Sequence, residues 1–265
     1  MKNQLSIIIP ILNEADNIIP LLNLLNTNTS VENISEITLV DGGSTDGTLE
    51  KVENFLSGRA LSSSKYILNE DTLQSKSRPN TSLSNTFKSK ITLLNAPKGR
   101  AKQMNLGAKH ASGNILYFLH ADSFPPKNFD QLIINQVTNG HQAGCFRLQF
   151  DSNHWWLRLA SWLTQFSWRA CRGGDQSQFI TKALFEEIGG YDESYIIYED
   201  NILINELYAR KEFVVINEKL ITSARLYEKH GVWKLQYHFW AIYVKKWFGA
   251  SAEELYSYYK KHIAK

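Results

Sequence analysis

Apolar and polar positions fall into alternating blocks along the first half of the chain. Leu5 to Ile9 is a continuous apolar run, the pattern of a strand buried on both faces of a sheet. Asn17 to Leu25 then carries apolar residues at helical spacing, Ile37 to Val40 reads as a second strand, and Thr48 to about Phe55 as a helix. After a long gap the pattern resumes with a strand near Ile91 to Leu94, a helix over Gly99 to His110 and a buried strand at Ile115 to Leu119. A loop at Asp122 to Pro126 and a helix at Phe129 to Val137 follow. Strands and helices in alternation predict an α/β fold with a mostly parallel central sheet flanked by helices.

The second half is less regular. Phe146, Leu148 and Phe150 alternate with polar residues, as in a half-exposed strand. Trp155 to Trp168 reads as an aromatic helical segment. A turn at Gly173-Gly174, a strand, a short helix and a turn at Gly189-Gly190 come next. Glu199 to Arg210 is a predicted helix, Phe213 to Ile216 a strand, Trp233 to Trp247 a strongly aromatic helix, and Glu253 to Tyr259 the last element. The stretch 57–90 is rich in serine and asparagine and has no period, which predicts a flexible surface insertion.

Composition adds a few limits. At 265 residues the chain can bury a large core, and one domain over 1–265 accounts for it. A net charge of +3 is too mild for the concentrated basic face of a nucleic-acid binder. Cys145 and Cys171 have neither metal-ligand spacing nor a disulfide framework, and read as reduced thiols of a cytoplasmic protein. The first residues read as a strand entering a loop rather than as a leader peptide, and no run of 18 or more apolar residues predicts a membrane-spanning helix.

Five clusters carry candidate chemistry, each at a predicted strand tip or helix start. In open α/β sheets, ligands bind beyond the carboxyl ends of the strands. The first strand runs out through Pro10, Asn13 and Glu14, residues that serve either a ligand or the cap of the next helix. The second ends in Asp41-Gly42-Gly43-Ser44, where Asp41 could accept an N–H from a nucleobase and the glycines let backbone approach it. Arg100, Lys102 and Asn105 open a helix, and cations there oppose the helix dipole unless an anionic ligand is bound. His120-Ala121-Asp122 follows the third buried strand; a carboxylate there suits Mg²⁺ or Mn²⁺, which use one or two carboxylates plus phosphate oxygens. Glu199 and Asp200 start a helix, and one of them, preferentially Asp200, could serve as a general base. Gly174, Asp175 and Gln176 lie on a turn that could face a ligand or simply be capped, and Arg225 could meet an anionic ligand or pair with a carboxylate.

The order and spacing of Pro10 to Glu14, Asp41 to Asp46, His120-Ala121-Asp122 and Glu199-Asp200 resemble glycosyltransferase family 2 over nearly the whole chain outside 57–90. Gly99 to Asn105, Phe118 to Asp122, Gly174-Asp175-Gln176 and Ser223-Ala224-Arg225 further resemble a bacterial subgroup of family 2-like transferases. The resemblance implies a GT-A fold, with a nucleotide-sugar-binding half over about 1–123 and an acceptor half over about 124–265. It implies that Glu14 and Asp41 contact the nucleoside, that Asp122 holds the metal and donor diphosphate, and that Asp200 is the base of an inverting transfer to an acceptor hydroxyl. Two positions depart from the broad family: His120 stands for the first Asp of the metal motif, and Gly42 for an acidic residue beside Asp41. Two other activities fit the same fold, a non-catalytic nucleotide-sugar-binding scaffold or sensor and a nucleotidyltransferase.

All seven tryptophans, from Trp155 to Trp168 and from Trp233 to Trp247, lie on aromatic amphipathic segments, with Lys245 and Lys246 nearby. Filling the core and covering the sheet is the preferred expectation for them. The alternative is a face that meets lipid, with a lipid-linked acceptor and peripheral association at the inner face of the membrane.

Overall fold

The computed structural model describes residues 2–57 and 89–264. Most of the expected insertion, 58–88, lies outside the described residues. Its two shoulders are regular structure, since the second helix runs to Ser57 and the third strand begins at Lys90.

One sheet of eight strands runs through the molecule in the order β3-β2-β1-β4-β7-β6-β8-β5. The strands are β1 (Leu5–Ile11), β2 (Ile34–Asp41), β3 (Lys90–Asn95), β4 (Ile115–Phe118), β5 (Ser123–Phe124), β6 (Ala143–Phe150), β7 (Gln178–Thr181) and β8 (Phe213–Thr222). β3, β2, β1 and β4 pair in parallel, as does β6 with β8, while the pairings of β7 with β4 and β6, and of β5 with β8, are antiparallel. The chain moves outward from β1 to β2 and β3, then returns to the other side of β1 with β4. The strand order therefore reverses between β1 and β4, the position at which open α/β sheets form a crevice for ligands.

Helices cover both faces. On one side Ile7, Ile9 and Ile11 of β1 pack against Ile18, Leu21 and Leu22 of α1 (Ile18–Asn28), Val52 of α2 (Thr48–Ser57), and Phe129 and Ile133 of α4 (Phe129–Thr138). On the other, Ile8, Val40, Leu116 and Phe118 meet Ala101 and Met104 of α3 (Arg100–His110), Leu184 of α6 (Lys182–Ile188), and Leu203 and Leu207 of α7 (Glu199–Ala209). Each fully buried Ile or Leu stabilises by roughly 1.5–3 kcal/mol. α3 comes unusually close: a β-carbon at Gly107 would lie 2.4 Å from Ile8 Cγ2. Only glycine permits that approach, which brings the start of α3 to the tips of β1 and β2.

Several expectations change in the second half. The aromatic segment from Trp155 forms α5 only over Trp155–Leu163, then breaks into turns with a short 3₁₀ stretch at Arg169–Cys171. β8 runs six residues past Ile216, through a register shift against β6 that lets polar Asn217 and Glu218 pass. The Asp122 to Pro126 loop contains β5, which pairs Ser123 with Thr222 and Phe124 with Ile221. The short helix α8 (Arg225–His230) was not foreseen; α9 (Val232–Trp247) and α10 (Ala252–His262) pack on each other through Leu235, Ile242 and Leu255. Six of the seven tryptophans do not fill the core: Trp155, Trp162, Trp168, Trp233, Trp240 and Trp247 are all exposed, and only Trp156 packs against it. Both cysteines are free, as expected. Among the described residues no helix is long and apolar enough to cross a membrane.

Candidate active site

The loops after β1 and β2 are sewn together by side chains. Asn13 sits in the left-handed region (φ 57°), its backbone N–H donates to Ser44 Oγ (2.9 Å) and its Oδ1 accepts from the Thr45 N–H (2.8 Å). The N–H of Glu14 donates to Thr48 Oγ1 (2.8 Å), and that of Ala15 to Asp46 Oδ2 (3.1 Å). Asp41, buried at the tip of β2, accepts from the N–H of Gly43 (2.8 Å) and from both the N–H and the hydroxyl of Ser44 (3.1 and 2.5 Å). Its carboxylate thus shapes the Gly43-Ser44 turn. Pro10, also buried, lies opposite Val40 in the strand pairing.

Gln103 is a component that the sequence reading passed over. Its side-chain amide donates to the carbonyls of Ile11 (2.8 Å) and Val40 (2.7 Å), the last turns of β1 and β2, with Gly42 directly against it. The signal was available: a polar residue on the buried face of α3.

β5 and β8 carry the chain back to the switch point. Because Ser123 pairs with Thr222, the residues after β8 fall beside Asp122, and the Ser223 N–H donates to the Asp122 carbonyl (3.2 Å). Arg225 then reaches across the crevice. Its Nη1 donates to Glu14 Oε2 (2.9 Å), its Nη2 contacts Glu14 Oε1, and the same Nη2 lies 3.2 Å from Asp122 Oδ2. One guanidinium therefore joins the carboxylate after β1 to the carboxylate after β4. Burial pushes the Asp122 carboxyl above its ordinary value; Asp175 and Glu14 add to this, and His120 and Arg225 oppose it.

A second acidic group lies at the start of α7. Tyr198 (φ 72°) turns the chain into α7, so Glu199 and Asp200 stand in its first turn, where the helix dipole favours negative charge. Glu199 is fully buried and Arg100 Nε lies 2.7 Å from its Oε1; Arg100 Nη2 is 3.9 Å from Asp200 Oδ2. The cation that seemed misplaced at the start of α3 is answered by the protein's own carboxylates. Burial pushes the Glu199 carboxyl up to about 7, with Arg100 pulling it down and Asp200 pushing it further up. The Tyr191 hydroxyl is buried nearby with no hydrogen-bond partner among the described residues, and burial, then Asp200 and Glu199, push it well above the usual phenol range.

The 3₁₀ turn Gly174–Gln176 connects the two groups. Gly174 packs on the Asp200 carboxylate, and exposed Asp175 lies 3.7 Å from His120 Nδ1. Gln176 is committed to the scaffold: its amide donates to the Cys171 carbonyl (2.6 Å) and accepts from buried Arg172 (2.8 Å). Asn105 is likewise engaged, donating to the Tyr191 carbonyl (2.9 Å) and to Glu193 (3.0 Å). Ala121 is buried and Lys102 half-buried at the start of α3. Glu14, Arg225 and Asp122 thus form one linked group and Arg100, Glu199 and Asp200 a second, with the Gly174–Gln176 turn touching Asp200 at Gly174 and His120 at Asp175, while Gln176, Asn105 and Asp41 bond to backbone.

Comparison with known proteins gives the family and the fold. The family model described as glycosyl transferase family 2 matches residues 6–196. No curated protein matches the sequence. Among solved structures, the mannosyltransferase PcManGT from Pyrobaculum calidifontis, in complex with GDP-Man and Mn²⁺, is 17% identical with a TM-score of 0.61, covering 100% of this chain and 65% of that one. Residues 1–349 of S. aureus TarS in complex with UDP are 16% identical with a TM-score of 0.57, covering 83% of this chain and 60% of that one. The complex of the same TarS fragment with UDP-GlcNAc gives 17% and 0.55, with coverage of 83% and 58%. The chain spans less than two thirds of the length of these solved chains. At such identities the likeness shows the fold, which is the expected GT-A arrangement.

Proposed function

The chain belongs to glycosyl transferase family 2, and from that premise we propose that it moves a sugar, with inversion and with the help of a divalent metal, from a nucleotide-diphosphate sugar to an acceptor hydroxyl. One observation carries the reading: Glu14 and Asp122, at the two sides of the β1/β4 switch point, converge on Arg225. The donor spans the crevice with its nucleoside toward Glu14 and the Gly43-Ser44 turn and its diphosphate toward Asp122 and Arg225. TarS with UDP and PcManGT with GDP-Man and Mn²⁺, on the same fold, support a donor of this class.

Among the described residues no group of three or more His, Cys, Asp or Glu side chains is placed to hold a metal alone. The surroundings nevertheless fit a cation. Asp122 offers a hard oxygen, and Glu14 and Asp175 add negative charge around it, though a bound ion would share Asp122 with the Arg225 guanidinium 3.2 Å away. Asp122 would hold Mg²⁺ or Mn²⁺ together with diphosphate oxygens and water, and the bound ion supplies charge that stabilises the departing diphosphate.

The chain's own groups supply the rest. Asp200 takes the proton of the acceptor hydroxyl, the hydroxyl oxygen bonds to the anomeric carbon, and the bond from that carbon to the diphosphate oxygen breaks. A single displacement of this kind inverts the anomeric centre. Asp200 suits the role of base better than Glu199, which has no exposure and is paired with Arg100. Arg225 faces the diphosphate as a fixed cation, and His120 with Asp175 borders the reacting carbon. The test is Asp200→Asn, which should fold, bind donor nucleotide as the wild type does, and lose at least about 10²-fold in transfer rate. Wild-type turnover in that variant would contradict the assignment.

A further inference from the structure

We propose that the outward faces of α5 and α9 form a docking surface for an anionic phospholipid bilayer, on which the protein lies without crossing it. The sequence pattern already sets α9 apart. Leu235 and Ile242 face inward onto α10. A second apolar stripe, Trp233, Tyr237, Trp240, Val244 and Trp247, recurs at the helical spacing of four and three residues and points outward. Every member is exposed, rising to 88% for Trp247, and Phe248 beyond it is 86% exposed. α5 repeats the arrangement on a shorter scale with Trp155, Leu159 and Trp162, all exposed.

The two stripes are continuous. The rings of Trp155 and Trp233 are 5.7 Å apart and those of Trp156 and Trp240 5.9 Å, so the helices meet at their starts. Past α5, Phe166 packs between Trp162 (5.2 Å) and Trp168 (4.8 Å) and carries the surface into the following loop. Exposed side chains scattered singly are normal, but a contiguous aromatic face on two helices marks an interaction site.

The chemistry of that face selects lipid. Indole and phenol rings combine an apolar body with a polar edge, which places them at the level of lipid headgroups. α5 and α9 carry no Asp or Glu, and exposed Arg158, Lys234 and Lys245 flank the aromatic stripes, while Lys246 turns inward to the Tyr195 hydroxyl. Such cations bury their stems in the apolar layer and leave their charge among anionic headgroups. A second copy of this chain docking face to face would set these three cations against three more, with no carboxylate on α5 or α9 to answer them. α9 has 16 residues, about 24 Å of helix, suited to lying in the interface plane.

The face adjoins the site. The Tyr243 hydroxyl donates to Asn201 Oδ1 (3.4 Å) and its ring packs on Tyr198 (5.3 Å), holding α9 to the end of α7 that bears Asp200. Docking is a property of this face alone. Only its consequence, an acceptor reached from the bilayer, rests on the transfer reading above.

The test is co-sedimentation of the full chain with phosphatidylcholine vesicles, with and without phosphatidylglycerol, and it reads binding rather than transfer. The expected result is binding that needs phosphatidylglycerol, weakens with salt and shifts tryptophan emission to the blue. The Trp247→Glu/Phe248→Glu double variant removes two exposed side chains and should melt as the wild type does while binding at least about tenfold less. Lys234→Glu/Lys245→Glu should lose the preference for phosphatidylglycerol. Failure of the wild type to sediment with either vesicle would overturn the proposal, as would equal binding by the Trp247/Phe248 variant. Self-association in analytical ultracentrifugation that the same double substitution abolishes would assign the face to a second copy instead.

Discussion

The α-carbon of Gly174 lies against the carboxylate of Asp200: a β-carbon at 174 would sit 1.9 Å from Oδ2 and 2.5 Å from Cγ. No side chain fits between the turn and the carboxylate, so the turn fixes where the proposed base points. Gly174→Ala must push Asp200 away or shift the 3₁₀ turn. A displacement of about 1 Å at a reacting group costs on the order of 10²-fold. The expected outcome is a fall in kcat of that order with the donor KM changed less than about threefold, measured by steady-state kinetics. A near-normal kcat would show that this contact does not set the position of the base.

Arg225 is the counter-charge shared by Glu14 and Asp122. Arg225→Ala leaves two nearby carboxylates at the switch point with no guanidinium between them, and repulsion should weaken binding of the donor diphosphate. We expect the donor KM to rise about tenfold or more. Arg225→Lys should rescue little, because a lysine cannot reproduce a fork that touches both oxygens of Glu14. Titration of nucleoside diphosphate into the three proteins checks this directly.

Glu199 links pH to both stability and rate. Its carboxyl stands at about 7 in the folded protein, against an ordinary value of 4.5. A group whose folded value is raised contributes stability that is present below the ordinary value and lost as pH rises toward the folded one. The contribution should therefore decline between about pH 4.5 and 7 and stay flat above. Rate should move the opposite way. As Glu199 ionises it engages Arg100, which also lies 3.9 Å from Asp200, and leaves Asp200 freer to meet the acceptor hydroxyl. Glu199→Gln should flatten the limb near pH 7 in the rate profile and reduce the slope of unfolding free energy by on the order of 1 kcal/mol or more across that window.

Much of the frame was legible in the sequence because its signals are local. β1, β2 and β4 are apolar runs ending in polar loops, and the strand tips carry Glu14, Asp41 and Asp122 as read. The partnerships among these residues were not legible. Arg225 meets Glu14 across 211 positions of sequence, through a two-residue strand, β5, too short to leave a pattern. Arg100 stood out as a cation in the wrong place, but its partner on α7 depends on tertiary packing. Gln103 and Gly174 act by fit to a backbone carbonyl and a carboxylate, which no period encodes. The facing of the tryptophans, core or lipid, is not legible because an apolar stripe has the same spacing whether it faces inward or outward; only the packing of Leu235 and Ile242 on α10 decides which stripe of α9 is buried.

The most direct test of the central claim is a thermal-shift measurement with UDP, GDP, CDP and dTDP, each with and without Mn²⁺, on the wild type and on Asp122→Ala. A ligand that binds only the folded protein raises Tm by mass action. The account predicts a shift with at least one nucleotide that is larger with Mn²⁺ and lost in Asp122→Ala. No shift with any of the four, with or without the metal, would contradict a nucleotide-sugar site at the β1/β4 crevice.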